Sequence, residues 1–185
     1  IEFENKLAQF FNKDGVMLYS TGFQTNIGVI PSVTGRNDYI IFDETDHASI
    51  IEGKRLSFAN SLKFKHNDMN NLERVLQKCP IEAAKLIVVD GVFSMEGDIV
   101  KLPELVEIAN RYNASIMVDE AHGLGVLGNK GRGTCDHFGL VDKVDIIMGT
   151  FSKSLASIGG FVAADAETIN WMKHNSRSYI FSASI

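Results

Sequence analysis

Lys153 stands alone in M-G-T-F-S-K-S-L-A-S-I-G-G-F, residues 148–161, with Asp145 and Asp165 the nearest charged positions on either side. A lysine held among small and apolar residues loses water, and that loss favours the neutral amine over the ammonium. A neutral amine can attack a carbonyl carbon and form a Schiff base. A lone loop lysine more often just reaches solvent, so the chemistry needs companions. Candidates are Asp119 and His122 in V-D-E-A-H-G, His47 in D-E-T-D-H-A-S, Ser94 in D-G-V-F-S-M, and the run Ser20-Thr21-Gly22-Phe23. Each has an ordinary structural use when taken singly; their joint placement decides.

That placement follows from the elements. Short β-rich runs fall at 15–20, 38–43, 62–65, 85–90, 115–119, 144–149 and 159–164. Helical patterns lie near 24–34, 46–57, 70–78, 103–112 and 166–176, with Asn67-Asp68 and Leu102-Pro103 as start signals. Such βα alternation predicts one α/β domain, a mostly parallel seven-stranded sheet sandwiched by helices. Ligands of such sheets bind beyond the carboxyl ends of the strands. Ser20, His47, Ser94, Asp119, His122, Thr150, Ser152 and Lys153 all follow a strand, so they are expected along one edge.

One cofactor uses this set. Pyridoxal 5′-phosphate (PLP) needs a lysine for its aldehyde, an acid opposite its pyridine nitrogen and a cradle for its phosphate. Lys153 supplies the first and Asp119 the second. The strand-to-helix turn with Ser20, Gly22 and Phe23 offers N–H groups at a helix start, and Thr150 and Ser152 add hydroxyls. His47 is placed to stack on the ring, and His122 and Ser94 to meet its phenolic oxygen. The competing motif is G-L-G-V-L-G at 123–128, which has the spacing of a dinucleotide fingerprint. It runs on into N-K-G-R-G-T-C rather than a helix, and Asp119 and Glu120 would repel a pyrophosphate, so that reading is set aside.

Composition narrows the class further. A net charge of -5 argues against a nucleic-acid partner. No apolar run is long enough to cross a bilayer, and Cys79 and Cys135 lack metal-type spacing, so no metal and a reduced, cytoplasmic setting are expected. The chain starts at Ile1 within a helical pattern and stops at F-S-A-S-I, and a piece of a longer protein is expected.

The segments S-T-G-F-Q-T-N (20–26), D-E-T-D-H-A-S-I (43–50), D-G-V-F-S-M-E-G-D (90–98), V-D-E-A-H-G-L-G-V-L-G (118–128) and G-T-F-S-K-S (149–154) resemble those of the α-oxoamine synthases, PLP enzymes of fold type I. The resemblance covers nearly the whole chain. It implies that Lys153 carries the cofactor, Asp119 partners the pyridine nitrogen and His47 stacks. It also implies that Ser94 and His122 meet the ring oxygen, and that Gly22, Phe23, Thr150 and Ser152 hold the phosphate. Phe181, Ser182 and Ala183 match a segment that reaches the phosphate of the other subunit in a homodimer. The implied reaction is decarboxylative condensation of an amino acid with an acyl-CoA. G-T-F-S-K-S-L-A-S-I-G-G is most similar to the branch joining serine to palmitoyl-CoA; the glycine C-acetyltransferase and 8-amino-7-oxononanoate synthase branches are the alternatives. Relative to the family, an N-terminal segment and a C-terminal domain are missing. A silent partner subunit would lack the lysine.

Overall fold

The computed structural model describes residues 2–183; Ile1 and the last two residues of the F-S-A-S-I end lie outside the described residues. The first helix, α1 (Glu2–Phe11), is followed by β1 (Gly15–Tyr19), α2 (Gly22–Ser32), β2 (Tyr39–Asp43), α3 (Ala48–Leu56), β3 (Asn60–Phe64) and α4 (Met69–Leu76). Then come β4 (Lys85–Asp90), α5 (Leu102–Arg111), β5 (Ser115–Asp119), the short α6 (Thr134–His137), β6 (Ile146–Thr150), β7 (Gly160–Ala164), α7 (Ala166–Asn175) and α8 (Arg177–Ile180). The strands form one seven-stranded sheet in the order β1-β7-β6-β5-β4-β2-β3. Pairing is parallel from β3 through β6, while β7 runs antiparallel to both β6 and β1. The mostly parallel α/β sheet expected from the alternation is therefore present.

Both faces of the sheet are covered, which explains why its central strands are apolar between their ends. In β4, Leu86 and Val88 pack with Ile30 of α2, Ile50 of α3 and Met172 of α7. The alternate residues Ile87 and Val89 pack on the other side with Phe11 of α1, Leu72 of α4 and Leu105 of α5. The two-residue period of the strand thus feeds two cores.

Helix starts follow side-chain caps. Asp68 Oδ1 accepts from Asn71 N–H at 2.9 Å and Asp165 Oδ1 from Thr168 N–H at 2.8 Å. In α2, Thr21 Oγ1 accepts from Gln24 N–H at 3.1 Å. The helix therefore begins at Gly22, two residues before the hydrophobic pattern becomes visible, because a capping hydroxyl satisfies a first-turn donor. Strand β6 starts two residues later than its apolar pattern suggests. Before it, Asp145 N–H donates to Ile116 O at 3.0 Å, but Ile116 N–H donates to the Asp145 carboxylate at 2.7 Å, so a side chain takes one of the ladder bonds there.

Close packing beside β6 leaves no room for a side chain at Gly149. A Cβ there would lie 2.5 Å from the ring of Phe161. That ring is fully buried and stacks on Phe151 at a centroid distance of 5.5 Å, with Phe11 4.9 Å away. Gly149→Ala is expected to lower unfolding stability by about 1–3 kcal/mol through overpacking. Urea denaturation measures this, and an unchanged midpoint would show that the ring yields freely.

Candidate active site

A cavity of about 360 Å³ opens beyond the carboxyl ends of β1, β4, β5 and β6. That is within the range of about 300–1,000 Å³ common for small-molecule sites. Its walls include Gly22, Phe23, His47, Asp90, Asp119, His122, Thr150, Ser152 and Lys153. A larger groove of about 460 Å³ lies at the opposite ends of the strands, beside Asp38, Lys85 and Trp171. The smaller cavity holds the reactive groups, and size does not outweigh them.

Lys153 follows β6 in the loop 151–159, and its amine lies 2.6 Å from His122 Nε2. At that distance one of the two must be neutral. Partial burial, then the Lys153 charge, push the His122 pKa below the usual imidazole value, against the pull of Asp119. His122 is thus the acceptor, with its proton on Nδ1. The expectation of a lysine sealed from water needs correction, because Lys153 is exposed as a residue. Its amine nonetheless stands against the cavity wall, and the water lost there lowers its pKa, while Asp119 and Asp90 oppose that shift.

Asp119 ends β5 at 2 % exposure. Its Oδ1 accepts from Ala121 N–H at 2.9 Å and its Oδ2 from Asn26 Nδ2 at 2.7 Å. Asn26 Nδ2 also reaches Ser49 Oγ at 2.8 Å, and Ser49 Oγ lies 2.8 Å from His47 Nδ1. Ser49 N–H donates to the same ring nitrogen at 3.2 Å. A chain of hydrogen bonds therefore runs from the buried Asp119 through the buried Asn26 and Ser49 to His47, which is exposed. It orients both ends and leaves the His47 proton on Nε2.

The opposite wall is the N-terminus of α2. Gly22 packs so closely on β6 that a Cβ would come 2.8 Å from Thr150 Cβ. Beside it, Thr150 Oγ1 and Ser152 Oγ are 3.0 Å apart. A helix start, a glycine and two hydroxyls facing a cavity suit an anionic group. An acid, an amine and an anion cradle on three sides of one cavity fit the donor set that PLP needs.

The sequence matches the family described as aminotransferase class I and II over residues 1–185. The chain belongs to the aminotransferase class I and II family. Within it, the chain is 65% identical over 184 residues to a serine palmitoyltransferase of Bacteroides ovatus, covering 100% of this chain and 47% of that protein. It is 48% identical over 185 residues to an 8-amino-7-oxononanoate synthase of Thermoanaerobacter pseudethanolicus, again with 100% and 47% covered. A solved variant of the S. paucimobilis serine palmitoyltransferase with a bound PLP–myriocin aldimine superposes with a TM-score of 0.96 at 39% identity. That match covers 100% of this chain and 46% of the solved one. The chain spans about half the length of the curated relatives it matches.

Not every expected site residue lines the cavity in this member of the aminotransferase class I and II family. Ser94 is exposed in the turn after β4 and is not among the lining residues. Ser20 lies just outside, where its Oγ donates to Ala183 O at 3.0 Å. Ser182 Oγ is 3.4 Å from Ser20 Oγ and 3.2 Å from Gln24 Oε1, so the 181–183 segment rests on the start of α2 in its own chain. Glu120 turns inward, where its carboxylate accepts the Thr134 and Cys135 N–H groups. Residues 123–128 form turns rather than a helix, as their glycine content predicts.

The cavity also draws on Asp90, and behind its wall on Asn26, which with Ser49 is not singled out by strand-end position. Asn26 follows Gly22 by one helical turn, a spacing that places both on one face of α2. Asp90 is the polar end of an otherwise apolar strand, as Asp119 is. Because Lys153 suppresses protonation of His122, Lys153→Ala should raise the His122 titration midpoint. Imidazole NMR checks this, and a midpoint unmoved or lowered would contradict the electrostatic reading.

Proposed function

We propose that this chain is the α/β cofactor-binding unit of a PLP-dependent acyltransferase that condenses L-serine with palmitoyl-CoA, releasing carbon dioxide and giving 3-oxosphinganine. The observation that carries the reading is the convergence of the Lys153 amine, the Asp119 carboxylate and the α2 N-terminus on one cavity. Likeness to the Bacteroides ovatus serine palmitoyltransferase supports the choice of substrates. Likeness to the 8-amino-7-oxononanoate synthase keeps that reaction as the second reading, with glycine C-acetyltransferase as a neighbouring one.

When bound, PLP supplies an aldehyde for the amino acid and a ring that takes up negative charge from its Cα. Lys153 moves the proton at Cα, and the burial that lowers its pKa favours the neutral amine that this task needs. Asp119 holds a proton on the pyridine nitrogen, and Asn26 fixes the carboxylate for that task. Gly22, Phe23, Thr150 and Ser152 bind the phosphate. His47 would support the ring face and His122 its hydroxyl, whereas Ser94, outside the cavity lining, has no direct part here. The proposal includes a cytoplasmic homodimer in which Ser182 and Ala183 of one subunit serve the site of the other. It also includes residues 1–185 as a single domain of the longer enzyme.

Borohydride reduction of the full-length protein should fix a pyridoxyl group on Lys153, identified by peptide mapping, and Lys153→Ala should lower kcat at least about 100-fold. Label on Lys173 instead would remove the basis of the assignment. In competition kinetics, the full-length enzyme should show a higher kcat/KM for serine with palmitoyl-CoA than for glycine with acetyl-CoA, and it should sediment as a dimer. A reversed preference would move it to the glycine C-acetyltransferase branch, and a fully active monomer would remove the shared site.

A further inference from the structure

Asp90 is the buried acid of the cavity that the proposed reaction leaves without a task. It ends β4 as Asp119 ends β5, and the two are register partners in adjacent parallel strands. Register partners point to the same face, and neighbouring strands are only about 5 Å apart. Both residues line the cavity, at 4 % and 2 % exposure. Two carboxylates so close and so dry do not both ionise unless donors compensate them.

The donors are unequally shared. Asp119 accepts from a side-chain amide and a backbone N–H, one on each oxygen. Among the described residues Asp90 accepts a single hydrogen bond, from His47 N–H to Oδ2 at 2.8 Å. The other groups around Asp90 do not redress this. Asp46, in the turn before α3, is occupied by the N–H groups of Asp43 and Asp90, and burial suppresses its ionisation. Asp43, at the end of β2, adds further negative potential. Lys153, from the loop after β6, is the cation acting on Asp90 among the described residues, and its amine is engaged with His122.

We infer that Asp90 retains its proton at neutral pH and so leaves Asp119 as the anionic carboxylate of the cavity, a positioning role in the reaction proposed above. The inference rests on that reading for its catalytic meaning, though not for the proton itself. Burial, then Asp119, raise the Asp90 pKa to about 8, while the His47 N–H and Lys153 act the other way. A second anion beside Asp119 would divide the attraction that keeps a proton on a ring nitrogen, and a neutral Asp90 prevents this.

Because the folded pKa lies above the unfolded value, Asp90 costs stability progressively as pH rises from the ordinary carboxylate range to about 8. Asp90→Asn should not show this loss. The direct test is carbon-13 NMR of the cofactor-free full-length protein labelled at aspartate carboxyls. One resonance, missing in Asp90→Asn, should titrate near pH 8; a resonance already ionised at pH 6 would overturn the inference. If the variant does not fold, infrared spectra of the unaltered protein should lose one neutral-carboxyl component between about pH 7 and 9, beside any that Asp46 and Glu120 keep, and no loss in that interval would be equally decisive. In the loaded enzyme, Asp90→Asn should flatten the change in cofactor absorbance over the same interval, whereas identical profiles would refute the positioning role. Should the protein take up no pyridoxal phosphate while the resonance still titrates high, the proposed function fails and the retained proton stands. Cofactor uptake with ordinary titration does the opposite: the proposed function stands and the retained proton is overturned.

Discussion

The structure depends on burying carboxylates at the ends of adjacent parallel strands. Asp43, Asp90 and Asp119 terminate β2, β4 and β5; Asp90 and Asp119 are register partners, while Asp43 falls one residue out of step with Asp90 and so faces the other side of the sheet. Each would be prohibitively costly without donors, so the turns that follow are shaped to supply N–H groups. Thr45 and Asn67 donate to Asp43, His47 to Asp90 and Ala121 to Asp119. His66 lies between Asp43 and Asp98, 3.1 Å from each. Burial disfavours its charge, yet the two carboxylates outweigh burial and raise its pKa. Of these bonds, those of Asp90 and Asp119 lie in the wall of the cavity as well as at the sheet edge.

A second constraint is distance between backbones. Gly160 of β7 leaves so little space that a Cβ would come 2.9 Å from Gly22 Cα, and Gly22 in turn abuts Thr150. Three elements that meet this closely can place a helix start, a hydroxyl pair and the root of the lysine loop around one small volume. Glycine is needed here for proximity rather than for an unusual φ. Stiffness follows, since none of the three elements can shift without moving the others.

The fold was largely legible because its signals are local. Apolar strands ending in a polar residue, alternating with capped helices, dictate a covered parallel sheet, and the sheet then dictates which edge holds the site. Lys153, Asp119, His47 and His122 could be named from strand-end position. Asn26 could not, because its importance arises from contacts 93 and 23 residues away, with Asp119 and Ser49. Asp90 was hidden by its strand, whose apolar run it closes, while Ser94 in the following turn is the more conspicuous polar side chain. The exposure of Lys153 was illegible for a related reason: apolar neighbours in sequence, such as Leu155 and Ile158, are themselves exposed in this chain.

The antiparallel return of β7 has a consequence for the lysine. The 151–159 loop is fastened at both ends, with Phe151 N–H on Gly159 O at 2.9 Å and Ser157 N–H on Phe151 O at 2.9 Å. The amine is therefore a tethered reagent. In the proposed reaction, once released from a carbonyl partner, it could not diffuse beyond the span of its own side chain. It meets the next partner as an intramolecular neighbour, at an effective concentration that no free amine could match.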